Sequence, residues 1–179
     1  MIERMVQMVQ CPRDRLWETL RDRTPHLARF LDGVVSTEST VVEPMANGVM
    51  RREHRWRAAA KVPPILAPHV DASYLEWTCR TEWYAEDFRS RWVIEPAFLK
   101  DRPLCLLSMA FAPALGGRGT RLQVEIDLSA LRPEALRVVT ARIVTTHFRD
   151  LVEAARRLAE EGGRALPGEH AHQVPGERD

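Results

Sequence analysis

WTCRTEWYAEDFRSRWVIEP, residues 77–96, holds three of the chain's five tryptophans, each set among arginines and glutamates. The alternation in this stretch decides the fold. From 75 to 83, Leu75, Trp77, Cys79, Thr81 and Trp83 share one face of an extended strand. From 88 to 96 the in-phase set moves to even numbers: Phe88, Ser90, Trp92 and Ile94. A tight turn at Tyr84–Asp87 accounts for the switch, because residues paired across an antiparallel hairpin share a face. The expected partners are Trp83 with Phe88, Cys79 with Trp92 and Trp77 with Ile94. The opposite face carries Glu76, Arg80, Glu82, Arg89, Arg91 and Glu95, so the tryptophans are expected on the inner face and the charges in solvent.

Downstream the pattern repeats. Residues 104–112 put Cys105, Leu107, Met109 and Phe111 on one face. Beyond Gly116-Gly117, residues 121–128 read RLQVEIDL, with Leu122, Val124, Ile126 and Leu128 inward. Pairing Phe111 with Leu122 closes a hairpin on the glycines. Upstream, 34–43 is rich in β-branched residues, Asn47-Gly48 is a hairpin signal, and 49–57 places Met50, Arg52, His54 and Trp56 together. A turn at 45–48 sets Thr37, Ser39 and Val41 on the same face as His54 and Trp56. Polar groups on an inward face need partners.

The flanks read as helix. Residues 2–10 form a first strand, ended by Cys11-Pro12, and 13–22 follow as a short helix with Leu16, Trp17 and Leu20 on one side. Thr24-Pro25 predicts a second helix with Thr24 as its N-cap, ended by Gly33. Residues 133–162 predict one long helix with an inward stripe of Leu136, Ile143, His147, Leu151, Ala154 and Leu158. The expected domain is 1–162. Residues 163–179 lack periodicity and read as a disordered tail.

Composition narrows the class. The net charge is +1, from 26 basic and 25 acidic residues, so no polyanionic partner is demanded. Interleaved glutamates make the outward arginines (51, 55, 57, 80, 89 and 91) a solvated face rather than a nucleic-acid patch. The strong preference for Arg over Lys fits a GC-rich, bacterial genome. The opening residues are too charged for a signal peptide, and no apolar run reaches the length of a membrane span. Three cysteines without C-x-x-C point to a reduced cytoplasm. Cys79 and Cys105 face inward on strands separated by a third, too far apart to bond. No His/Cys set has metal-site spacing: His170 and His172 lie in the tail, and Cys11 and His26 stand alone. Gly116–Gly119 lacks the Lys-Ser/Thr of a phosphate loop. No cofactor is expected.

Strand, two short helices, six strands in hairpins and a long C-terminal helix resembles the SRPBCC superfamily, the START-like helix-grip fold of polyketide cyclase/dehydrase and lipid-transport proteins. MVQCPRDRLWETLRD looks like its first strand and helix, and ARIVTTHFRDLVEAARRLAE like its last helix. The resemblance implies an α+β domain whose curved seven-stranded antiparallel sheet grips the long helix around an apolar cavity. It transfers no catalytic residue. The Pro-rich 58–72 segment is longer than simple members carry, and its Val62, Ile65, Leu66 and Val70 suit a lid or an ordinary packed loop.

Six residues are expected to line the cavity: His54, Trp56, Trp77, Trp92, Phe111 and His147. His147 sits in the apolar stripe and His54 beside Trp56, where each is either a satisfied core histidine or a polar contact to a ligand. The leading reading is binding or transport of a small hydrophobic or amphipathic molecule, with no nucleic acid, no stable membrane insertion and room for a homo-oligomer. One alternative is a cyclase- or dehydratase-like enzyme using the cavity histidines. Another is an interaction module with a filled core.

Overall fold

The computed structural model describes residues 1–42, 48–59, 71–100, 102–132 and 134–163. Seven strands form one sheet: β1 (Ile2–Val9), β2 (Val34–Val42), β3 (Val49–Ala58), β4 (Glu76–Tyr84), β5 (Arg89–Pro96), β6 (Cys105–Ala114) and β7 (Gly119–Asp127). Their order is β1-β7-β6-β5-β4-β3-β2, with every neighbouring pair antiparallel. Helix α1 (Arg13–Asp22) and a 3-10 helix (Thr24–Phe30) follow β1, and the long helix α2 (Glu134–Gly163) follows β7. The α+β architecture expected from the sequence is the one observed. The turn expected at 45–48 lies outside the described residues except for Gly48. So do residues 60–70 of the 58–72 segment and the tail beyond Gly163.

The central hairpin keeps its faces but not its expected register. Trp83 pairs with Ser90, Thr81 with Trp92, Cys79 with Ile94 and Trp77 with Pro96, two residues away from the expected partners. The connection is a four-residue loop, Ala85–Phe88, and Phe88 closes it in the left-handed region at φ 48°. Phe88 is therefore a turn residue rather than a strand residue. A shift of two preserves which side each residue faces, so the inner face is unchanged. A bulky side chain in this conformation is unfavourable. Its ring is held from two sides, edge-on to Trp17 at 5.5 Å and under the Arg13 guanidinium at 3.5 Å. The Phe111–Leu122 pairing is found as expected.

The second helix differs from its expected form. Thr24 is no N-cap: its hydroxyl donates backward to the Leu20 carbonyl at 2.6 Å, and the turn that follows is 3-10. The hydroxyl thus satisfies a C-terminal carbonyl of α1.

The core lies between the sheet, α1 and α2. Leu16, Trp17 and Leu20 of α1 are buried, as are Trp83, Trp92, Leu107, Met109, Leu122, Val124 and Ile126 of the sheet. An edge-to-face file of aromatics crosses it. Trp17 meets Trp83 at 5.6 Å, Trp83 meets Trp92 at 5.7 Å, and Trp92 meets Phe148 of α2 at 6.0 Å. On the other face the charges pair across strands, Arg51 with Glu82, Arg57 with Glu76, and Arg80 with both Glu53 and Glu95.

The inward stripe of α2 requires a correction. Leu151, Ala154 and Leu158 are buried, but Leu136 is 45% and Ile143 62% exposed. The buried stripe is rotated from the expected one: it runs through Ala141, Val144, Phe148, Leu151, Ala155 and Leu158. Leu136 and Ile143 fall on its flank, and at their level Thr140, Ala141 and Val144 are the residues that are covered.

Trp92 is 2% exposed and touches Trp83, His54 and Phe148. Trp92→Ala is expected to cost about 3–5 kcal/mol, whereas Arg89→Ala, on the outer face, stays within about 0.5 kcal/mol. Urea denaturation of the two variants measures both. A cost below about 1 kcal/mol for Trp92 would show that the aromatic file is not core.

Candidate functional site

Tryptophan can be buried at low cost when its N–H finds an acceptor. Two of the inner-face indoles find one on their own strand, two residues back and on the same side. Trp83 Nε1 donates to Thr81 Oγ1 at 2.9 Å, and Trp92 Nε1 donates to Ser90 Oγ at 3.0 Å. In β3 the residue two before Trp56 is His54, and no hydroxyl is offered. Trp56 Nε1 is buried without a hydrogen bond; the neighbouring Cys79 sulfur, a weak acceptor, is the group it faces.

His54 is wholly buried and lies 6.3 Å from Trp92, nearly parallel to it. Its Nδ1 shares a hydrogen bond with Ser39 Oγ, which stands opposite it on β2. Either tautomer leaves Nε2 unanswered: as a donor if the serine hydroxyl donates to Nδ1, as an acceptor if Nδ1–H donates to the serine. Nε2 has no partner, and neither has the buried Oγ1 of Thr37, which pairs with Trp56 across the same two strands. Three orphan polar atoms thus adjoin on one patch of the inner face.

Beside this patch stands an aromatic corner. Trp56 and Trp77, cross-strand partners, stack at 6.0 Å with their planes 4° apart. His147 of α2 meets both edge-on, at 6.2 and 5.8 Å. Trp77 and His147 are half-buried, so the corner reaches the surface where the sheet ends.

The structure therefore brings together five of the six expected site residues: His54, Trp56, Trp77, Trp92 and His147. Phe111 stands apart. Thr81, Trp92 and Leu107 form one row across the sheet with Arg52. Phe111 lies four residues from that row in one direction and Trp56 four in the other, on the order of 25 Å of strand rise between them. Phe111 packs at the Phe88 end, where its backbone N–H donates to the Phe88 carbonyl at 3.0 Å.

Sequence reasoning missed one member. Arg52 shares the inward face and is held by Asp22 at the end of α1, at 2.6 Å. Its inward phase was the available signal, since a buried cation needs a counter-charge. Burial and, to a lesser degree, the Arg52 charge push the His54 pKa down to about 4. Burial also lowers His147, against the opposing pull of Asp150. The Cys79 and Cys105 thiols are driven upward by burial, Cys105 to about 12, which removes them as nucleophiles. No group of three or more His, Cys, Asp or Glu able to hold a metal occurs among the described residues. Open grooves of about 700 and 580 Å³ lie on the outer face, lined by residues such as Arg51, Glu82, Arg91 and Glu125, and share only Trp92 with the six expected site residues.

No family model and no curated protein matches the sequence. Solved structures do match, at low identity. TTHA0849 from Thermus thermophilus aligns with TM-score 0.59 and 18% identity over 90% of this chain and 99% of that one. The Zhui aromatase/cyclase from Streptomyces sp. R1128 aligns with TM-score 0.61 and 15% identity, covering 94% and 98%. Ara h 8.0201 aligns with TM-score 0.57 and 12% identity, covering 90% and 98%. The chain has the helix-grip fold; at these identities the likeness extends to the fold alone.

The histidines make stability pH-dependent in a definite direction. Unfolded, His54 takes up a proton below about pH 6.5; folded, it stays neutral to about 4. Its contribution is complete above the higher value and is lost as pH falls toward the lower. Unfolding free energy should fall by up to about 3 kcal/mol across that window. His54→Leu should flatten the slope of a urea-midpoint-against-pH plot, and an unchanged slope would assign the dependence elsewhere.

Proposed function

We propose that the chain binds a small, largely apolar molecule carrying an oxygen or nitrogen function, between α2 and the inner face at the Trp56–Trp77 end. One observation carries this reading: the adjoining orphan atoms His54 Nε2, Trp56 Nε1 and Thr37 Oγ1. A buried donor or acceptor left unpaired costs about 1–3 kcal/mol, so three on one patch call for a partner, water in the free protein and ligand in the complex. The stacked indoles and the edge of His147 supply flat apolar walls beside it. Phe111 belongs to the opposite end and is not part of this site.

A catalytic reading rests on a different property of the same cluster. With Nδ1–H donating to Ser39, His54 presents a bare Nε2 that can accept a proton. A pKa of about 4 makes it a weak base, well below the value near 7 that serves general-base chemistry at neutral pH. Binding is therefore the reading the residues support best, with acid–base turnover second.

The test compares naphthalene with 2-naphthol, read by quenching of tryptophan emission and confirmed by native mass spectrometry. Both should bind at one per chain. The hydroxylated probe should bind several-fold more tightly, about the contribution of one hydrogen bond. His147→Leu should keep the fold and move preference toward naphthalene; unchanged affinities would make His147 a plain core residue. Failure of either probe to bind would mean a filled interior and favour an interaction module.

A further inference from the structure

Leu136, Val139 and Ile143 fall within about 60° of one another around α2, on one flank of the buried stripe that contains Val144, Phe148 and Leu151. They are 45, 57 and 62% exposed, and Val138, on the side of Arg142 and Arg149, is 57% exposed. Four large aliphatic side chains thus project from a stretch of eight residues, 136–143, whose inward positions Thr140 and Ala141 are buried. The charge around them is one-sided. Residues 132–149 contain Arg132, Arg137, Arg142 and Arg149 against the single acid Glu134. Arg132, Arg142 and Arg149 are exposed and have no acidic partner among the described residues. The second half of the same helix is the opposite case. There Arg156 pairs with Glu153 and Glu160, and Arg157 with Glu153.

We propose that the first half of α2 is a docking surface for an anionic lipid bilayer. The ridge of Leu136, Val139 and Ile143 enters the interface, and Arg142, Arg149 and Arg132 meet the headgroup phosphates. Apolar residues flanked by unneutralised cations are the chemistry that partitions a helix onto such a surface. The ridge is convex, open on both flanks at Ala135 and Arg142, which suits a deformable bilayer better than the shaped groove of a protein partner. The contact is peripheral: no described helix is long and apolar enough to cross a membrane. The proposal does not depend on the interior ligand, since Leu136, Val139 and Ile143 are exposed whereas the orphan atoms are buried.

The experiment is co-sedimentation of the full chain with vesicles of phosphatidylcholine alone, and of phosphatidylcholine with one quarter phosphatidylglycerol. The chain should bind the mixed vesicles at low salt, leave them at high salt, and ignore the neutral ones. Arg142→Gln should weaken partitioning about fivefold, and Ile143→Asp about tenfold or more. Arg157→Gln, whose arginine is already paired, should change little. Circular dichroism and melting should be unaffected, because the positions are exposed; Leu136→Ser with Val139→Ser serves if Ile143→Asp disturbs the fold. No binding to the mixed vesicles at low salt overturns the proposal, as does wild-type binding by variants of the ridge. A dimer by light scattering that Ile143→Asp splits into monomers also overturns it, assigning the ridge to a second copy of the chain.

Discussion

The structure hangs on how buried indoles satisfy their N–H groups. Trp83 and Trp92 fill the middle of the inner face and contact each other, α1 and α2 through edge-to-face packing. They can do so because Thr81 and Ser90 place a hydroxyl two residues back on the same face of the same strand. A strand's period of two makes that arrangement automatic. The sheet and both helices then meet on an aromatic file whose two central indoles are hydrogen-bonded. Where the device is missing, at Trp56, the interior keeps unmet hydrogen-bonding capacity, and that is where the candidate site forms.

The same sheet handles its two faces by different physics. Outside, arginine and glutamate pair across strands in positions open to water, each pair contributing little but together covering the surface with groups that need no burial. Inside, Arg52 is the exception. It is held by Asp22 of α1, so the one inward cation of β3 ties the sheet to the first helix and lies close enough to His54 to help keep that ring neutral. Helix α2 changes character along its length: exposed aliphatics and unpaired arginines flank its buried stripe in the first half, and closed ion pairs flank it in the second.

Much of this was legible in residue alternation. The two faces of the β4–β5 hairpin, the Phe111–Leu122 pairing and the placing of Thr37 and Ser39 with His54 and Trp56 all follow from a side-chain period of two. Register was not legible to the same degree, because parity cannot distinguish a shift of two, and nothing in Ala85–Phe88 marks a phenylalanine as the left-handed residue of a turn. Helical period recovered Leu151, Ala154 and Leu158 but set the stripe off-centre, because α2 carries apolar neighbours such as Ile143 and Val144 side by side and only its docking decides which of them is covered. The clustering of His54, Trp56, Trp77 and His147 needed both the strand register and the crossing of α2. Phe111 shares their face but not their end of the sheet, and a face is all that alternation can specify.

Strand β1 pairs with β7, joining Ile2–Val9 to residues more than a hundred positions later, while every other neighbour in the sheet is a hairpin or meander contact between consecutive strands. During synthesis the hairpins from β2 to β6 can close as they emerge, whereas β1 has no edge to join until β7 exists. Until then its alternating Ile2, Val6 and Met8, still half-exposed in the finished fold, and the whole inner face awaiting α2 are open to the ribosome's surroundings. The latest-made elements complete the earliest, so truncation ahead of β7 would leave not a shorter protein but a sheet lacking both an edge and a cover.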